Sequence, residues 1–210
     1  PAELTMEDKW ILSKFNTLVQ DVTTNIDKYE LGIAAQKLYD FIWDVYCDWY
    51  IELTKPRIAA GGETALAAQN VLVYVMQGIL KLLHPFMPFI TEEIWQSMPI
   101  VDDKGNNPDS IMISAWPEYD EKLHFAKEQT DFTKIVDAIR AIRVQRNELN
   151  VPPSKKVTML IETVETSLFD GAKVFFERLA GSGELTVSEK AETSDDMVTI
   201  VTANARIFMP

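Results

Sequence analysis

Leu72-Val73-Tyr74-Val75-Met76-Gln77-Gly78-Ile79-Leu80-Lys81-Leu82-Leu83-His84-Pro85-Phe86-Met87-Pro88-Phe89 is a run of helical period stopped by two prolines. Leu72, Val75, Met76, Ile79 and Leu83 recur at steps of three and four, the spacing of one helix face. The stripe predicts a helix over about 63–83. Residues 84–89 then form a stiff, apolar corner, because proline fixes φ and donates no backbone hydrogen bond. Thr91 is the expected cap of a short helix, with Glu92 and Glu93 in its first turn facing the positive end of the dipole. The stretch 71–90 is the most apolar in the chain, yet it holds Gln77, Lys81, His84, Pro85 and Pro88. It reads as a core helix and a turn, not a membrane span.

Working outward, two more amphipathic helices precede this one. Over 7–28 the apolar positions are Ile11, Phe15, Leu18, Val22 and Ile26, with Thr5 as N-cap and Glu7 and Asp8 in the first turn. Over 32–53 the stripe is Ala35, Leu38, Ile42, Val45, Trp49 and Leu53, and Tyr39, Tyr46 and Tyr50 extend that face. Pro56 is expected to end this helix and Gly61-Gly62 to turn the chain. Downstream, 102–108 reads as a polar loop, 110–114 as a short strand stopped by Trp116-Pro117, and 128–149 as a long helix. Phe132, Ile135, Val136, Ile139 and Ile142 are its buried side, and Asn150-Val151-Pro152-Pro153 ends it. The period then changes to two, predicting strands over 157–162, 184–189 and 197–202, with a helix over 168–179. The expected fold is mainly α: an antiparallel helix bundle (1–125), a long helix completing the bundle and connecting (126–150), and a small α+β subdomain (151–210). The last is near the lower size limit for folding alone.

With 47% apolar and 25% charged residues, the 210-residue chain has the balance of a globular protein. Its single cysteine, Cys47, cannot form an intramolecular disulfide, and Pro1-Ala2-Glu3-Leu4 lacks signal-peptide features, so the cytoplasm is the expected location. The net charge of −12 argues against a generic nucleic-acid binder. Within it, residues 132–161 hold six basic and two acidic groups, a basic island in an acidic chain. Catalytic chemistry finds little support. His84 and His124 are the only histidines. Zinc-ligand spacing, a glycine-rich phosphate loop and a nucleophile elbow are all lacking. Glu92 and Glu93 diverge by about 100° on a helix, and Cys47 has no basic neighbour to lower its pKa. No catalytic and no metal-binding residues are expected.

Three groups could carry contacts. Cys47-Asp48-Trp49-Tyr50-Ile51-Glu52, closed by Lys55-Pro56-Arg57, reads as a helix C-terminus whose cations complement the dipole, or as Lys55 and Arg57 touching phosphate. Arg140, Arg143 and Arg146, with Lys155 and Lys156, read as a solvated helix face or as a phosphate-tracking surface that releases counterions on binding. Lys9, Trp10 and Lys14 stand near the start of the first helix. Trp10 there is either core or, if exposed, a platform for an unpaired base.

Several of these phrases resemble one family. Asp8-Lys9-Trp10-Ile11-Leu12-Ser13-Lys14 resembles the start of the anticodon-binding domain of class I aminoacyl-tRNA synthetases. Leu83-His84-Pro85-Phe86-Met87-Pro88-Phe89-Ile90-Thr91-Glu92-Glu93-Ile94-Trp95 resembles a signature shared by the valine, isoleucine and leucine enzymes. The Cys47 phrase, and Ile139-Arg140 with Asn147-Glu148-Leu149-Asn150-Val151-Pro152-Pro153-Ser154-Lys155-Lys156, are similar to bacterial-type valyl-tRNA synthetases. The likeness covers nearly the whole chain, in the family's order. It implies a non-catalytic, C-terminal fragment of an enzyme that attaches valine to its tRNA using ATP. The partner it implies is the tRNA anticodon stem-loop, alongside the missing catalytic, editing and coiled-coil domains of the parent chain, with no membrane. The family's His-Ile-Gly-His and Lys-Met-Ser-Lys-Ser signatures are missing, so ATP belongs to the parent and no cofactor is expected in this fragment. The proline-rich corner, shared by enzymes with different anticodons, is expected to hold the bundle together, not to read bases. Two rivals stand beside this reading: a helical protein-interaction scaffold without an RNA role, favoured by the −12 charge, and the equivalent domain of an isoleucine enzyme, opposed by the Cys-Asp-Trp-Tyr phrase.

Overall fold

Helical stripes govern the chain as far as Glu148, and strands joined by short helical turns follow, in a computed structural model that describes residues 3–99, 109–152, 154–191 and 196–210. The polar loop expected over 102–108 lies outside the described residues. Contacts divide the chain into two units, Pro1–Gln129 and Thr130–Pro210. The sequence reading sets 126–150 apart as a connecting helix; from Thr130 onward that helix is grouped with the second unit.

In the first unit α1 (Met6–Asp27) packs against α2 (Leu31–Asp40), the π-helical segment Phe41–Ile51 and α4 (Gly62–Leu83). Helices α3 (Glu52–Ala60) and α5 (Pro88–Ser97) pack on α4. The predicted stripe of α1 is buried through Ile11, Phe15, Leu18 and Val22. Its first turn is closed by the Thr5 N–H donating to Asp8 Oδ2 at 3.1 Å. α4 is long and apolar enough to cross a membrane by length and composition. Val71, Val75, Ile79, Leu80 and Leu82 are nonetheless buried, as in a core helix. At Gly78 the helix meets the Phe15 ring so closely that an added Cβ would lie 2.0 Å from Cζ. Buried loop anchors complete the unit: Asn16 Nδ2 donates to the Asp120 carbonyl and the Asp120 N–H to Asn16 Oδ1, both at 2.8 Å.

Four local expectations change. Pro56 does not end the second helix; it sits inside α3, and helical backbone runs on to Ala60. In α3 an N–H at position 56 would bond the Glu52 carbonyl, and proline has none. Nearby, the Thr54 hydroxyl donates to the Ile51 carbonyl at 2.9 Å. Thr91 is not a cap, because Pro88 takes the first helical position of α5 after Met87, where its missing N–H costs nothing. Residues 110–114 form a 3-10 turn over Ile111–Ile113, not a strand, and the Met112 N–H bonds Ser110 Oγ at 3.1 Å. Tyr39 does not extend the buried face of the second helix and is exposed.

In the second unit α6 (Ala126–Glu148) leads to a four-stranded sheet of order β2-β1-β4-β3. The strands are β1 (Val157–Glu162), β2 (Ser182–Ser188), β3 (Val198–Val201) and β4 (Arg206–Met209). β1 and β2 are parallel, joined by α7 (Thr166–Gly171), α8 (Lys173–Phe175) and a π turn over Phe176–Ala180. β4, absent from the sequence reading, enters antiparallel between β1 and β3. Phe132 meets Phe175 edge to face at 5.4 Å, so α6 contributes to the core of this unit.

Candidate nucleic-acid interface

Each sequence-predicted site residue can be followed to its surroundings. Trp10 is 1% exposed and faces the bundle core, so it cannot stack on a base as the exposed alternative required. Lys14 stands over it, with Nζ 5.7 Å from the ring centre, a cation–π distance. Lys9 Nζ bonds Glu128 Oε1 at 3.0 Å and lies 5.8 Å from the Phe125 ring centre. Lys55 is exposed and pairs with Glu52.

Arg57 is committed elsewhere. Its Nη1 and Nη2 bond the two oxygens of Asp8, both at 2.8 Å, and Nη1 also reaches Glu7 Oε1 at 3.0 Å. Thr5 Oγ1 and the Thr64 carbonyl accept further bonds. Tyr50 donates its hydroxyl to Asp8 Oδ1 at 2.6 Å. Burial alone raises the Asp8 pKa, but the bonds from Arg57 and Tyr50 outweigh it and hold the carboxyl below its usual range. Glu7 goes the other way, because burial outweighs its bonds. A guanidinium so occupied ties α1 to α3 and is not available to phosphate, which corrects that part of the Lys55–Arg57 expectation.

The basic island is split by depth. Arg140 is exposed beside Asp137, with 3.8 Å between the charges. Arg143 is half-buried and donates from Nε to the Leu179 carbonyl at 2.7 Å. Arg146 is buried, not solvated, with Nη2 on the carbonyls of Pro152 and Lys155 at 3.0 and 2.7 Å. Lys155 and Lys156 are exposed, and Lys156 Nζ donates to the Glu177 carbonyl.

A second kind of surface lies in the first unit. Tyr39 and Trp43 are 60% and 52% exposed and adjoin at 6.3 Å between ring centres, and Tyr29, ten residues before Tyr39, is also exposed. Around α5 the apolar side chains of Met87, Phe89, Ile90 and Ile94 face outward. Behind them His84 is held by Thr91. His84 Nδ1 and the Thr91 hydroxyl are hydrogen-bonded across 2.7 Å, and the same hydroxyl lies 2.8 Å from the Met87 carbonyl. Among the described residues no group of three His, Cys, Asp or Glu could hold a metal ion.

Residues 8–161 match the family described as the anticodon-binding domain of tRNA ligase. The chain belongs to that family. Curated relatives extend the match of this anticodon-binding domain to nearly its full length. It is 45% identical to the valine–tRNA ligase of Clostridium acetobutylicum over 99% of the chain. It is 41% identical to that of Clostridium tetani over 97%, and 39% identical to that of a Bacillus cereus strain over 99%. The chain spans 23% of the length of each of these relatives.

Two features of the chain escaped the sequence reading. Tyr39 and Trp43 are an i, i+4 aromatic pair, a visible signal, but the sequence reading places Tyr39 on the buried face of its helix. Arg178 lines a cleft with Arg143, Arg146 and Lys156. It was hidden because its own stretch of sequence, 162–196, is acidic on average.

Proposed function

We propose that this chain recognises the anticodon stem and loop of a valine-accepting tRNA, as one module of a longer cytoplasmic enzyme that joins valine to that tRNA using ATP. The observation that carries the reading is the family match over 8–161 combined with valine–tRNA ligase relatives along 97–99% of the chain. ATP and the joining chemistry belong to the rest of that enzyme. Lys14, Lys55, Arg140, Arg143, Lys155 and Lys156 are the proposed backbone contacts, which position the RNA without reading it. Tyr29, Tyr39 and Trp43 are the proposed stacking platforms for splayed bases. Exposed aromatics suit unpaired loops, and each stacked base contributes about 1–3 kcal/mol. With a net charge of −12, non-specific attraction is weak, so base contacts must supply most of the discrimination.

The test is anisotropy of a labelled anticodon stem-loop against the chain and its Tyr39→Ala and Trp43→Ala variants. Each variant is expected to weaken binding by about 1–3 kcal/mol. Unchanged affinity in both would remove these rings from the interface.

A second reading, docking onto another part of the parent enzyme, is favoured by the outward apolar residues of α5, of which Phe89 is 91% exposed. In this reading Phe89→Ser leaves the melting temperature of the isolated chain nearly unchanged and lowers that of the full-length enzyme.

A further inference from the structure

The second unit holds a cleft of about 470 Å³ whose polar lining is Arg143, Arg146, Asn147, Lys156 and Arg178. Four of these side chains are cationic, and among the described residues no acidic one lines the cleft. They come from separate elements: two from α6, one from the approach to β1 and one from the π turn before β2.

Arg146 is the telling residue. It is 6% exposed, its Nη2 is pinned by two carbonyls, and its Nη1 is buried with no hydrogen-bond partner. A guanidinium remains charged at any ordinary pH, and a buried cationic group with an unused donor is costly. The cost is greater beside three like charges. An anion in the cleft offsets both costs at once. The site is also preformed. Gly181, at φ +71°, lies so close that an added Cβ would sit 3.2 Å from Arg146 Cζ, and the carbonyl bonds fix the plane of the guanidinium.

We propose that this cleft binds a phosphate group, with Arg146 as its fixed floor and Arg178 and Lys156 at its rim. Arginine forks match phosphate oxygens. The volume falls within the roughly 300–1,000 Å³ range of ligand sites and leaves room for an ester substituent. The phosphate source is either an RNA backbone diester or the free ion. Neither requires base reading, so the proposal extends the anticodon reading without depending on it.

The experiment is NMR of the 210-residue chain with ¹⁵N-labelled arginine, followed at constant ionic strength. One arm adds inorganic phosphate; the other adds a short oligouridylate with no anticodon sequence. A saturable shift of the Arg146 Nε–H signal is expected in at least one arm. A larger response per phosphate to the oligonucleotide assigns a diester, and a larger response to the ion assigns free phosphate. Arg178→Ala combined with Lys156→Ala alters only exposed side chains and should weaken binding about tenfold or more. Arg178→Gln is the milder control should the double variant misfold. Met112→Ala, at an exposed side chain of the first unit outside every proposed contact, should change nothing. No saturable shift in either arm, or a shift indifferent to Arg178 and Lys156, overturns the proposal. Loss of anticodon discrimination with these shifts intact would count against the anticodon reading alone.

Discussion

Asp8 and Arg57, 49 positions apart, form an ion pair closed by two bonds of 2.8 Å. Asp8 is fully buried and the Arg57 side chain is 15% exposed, so removing either partner strands a charge. Asp8→Asn is expected to lower stability in urea at neutral pH by about 3–5 kcal/mol. The pH dependence has a definite sign. The folded-state pKa of Asp8 is depressed, so its contribution is present above the ordinary aspartate value of 3.8 and is lost as pH falls through the folded value. The gap between the parent chain and Asp8→Asn should therefore narrow below pH 3.8. Glu7 is raised, so its contribution is present below 4.5 and is lost as pH rises through its folded value. Glu7→Gln should flatten that limb. Melts at a series of pH values check both, and a gap that stays constant into acid would remove Asp8 from the account. Sequence alone marks Glu7 and Asp8 as dipole partners, which they are, but says nothing of a cation so far along the chain. The burial of Trp10 was open to pattern reasoning, because it adjoins the apolar stripe of α1.

At the scale of elements, the stripes of α1, α4 and α6 and the strand β1 stand within a residue or two of where the sequence period places them. These segments are amphipathic over their whole length, so local pattern and tertiary burial agree. The second helix departs for a physical reason. Its π segment makes the buried step from Phe41 to Tyr46 five residues long, which a period of 3.6 cannot represent. β4 was missed because Ala205-Arg206-Ile207-Phe208-Met209 has no polar–apolar alternation; Ile207, Phe208 and Met209 are all buried in the sheet. The approach of α1 to α4 rests on Gly78. Gly78→Ala presses a methyl into the buried Phe15 ring, and the expected cost is about 1–3 kcal/mol despite the better helix propensity of alanine. Phe15→Leu in the same background should recover part of it. A Gly78→Ala chain as stable as the parent in urea melts would show that the ring moves without penalty.

For the whole molecule, charge and family point in opposite directions. An acidic chain disfavours RNA, yet it carries the anticodon-binding domain family and relatives with one amino-acid specificity. The two are compatible under the proposed reading, in which exposed cations position the backbone and exposed aromatics stack on bases. The parts of the candidate site legible in the sequence were those made of one continuous stretch, such as Arg140 to Lys156. Arg178 and the Tyr39–Trp43 pair needed the fold to bring them into view. The most direct test compares two labelled stem-loops by anisotropy, one carrying the valine anticodon and one a changed anticodon, at low and near-physiological salt. The account predicts tighter binding of the valine loop, with a difference that survives the higher salt. Equal binding of both loops, abolished by salt, would contradict it.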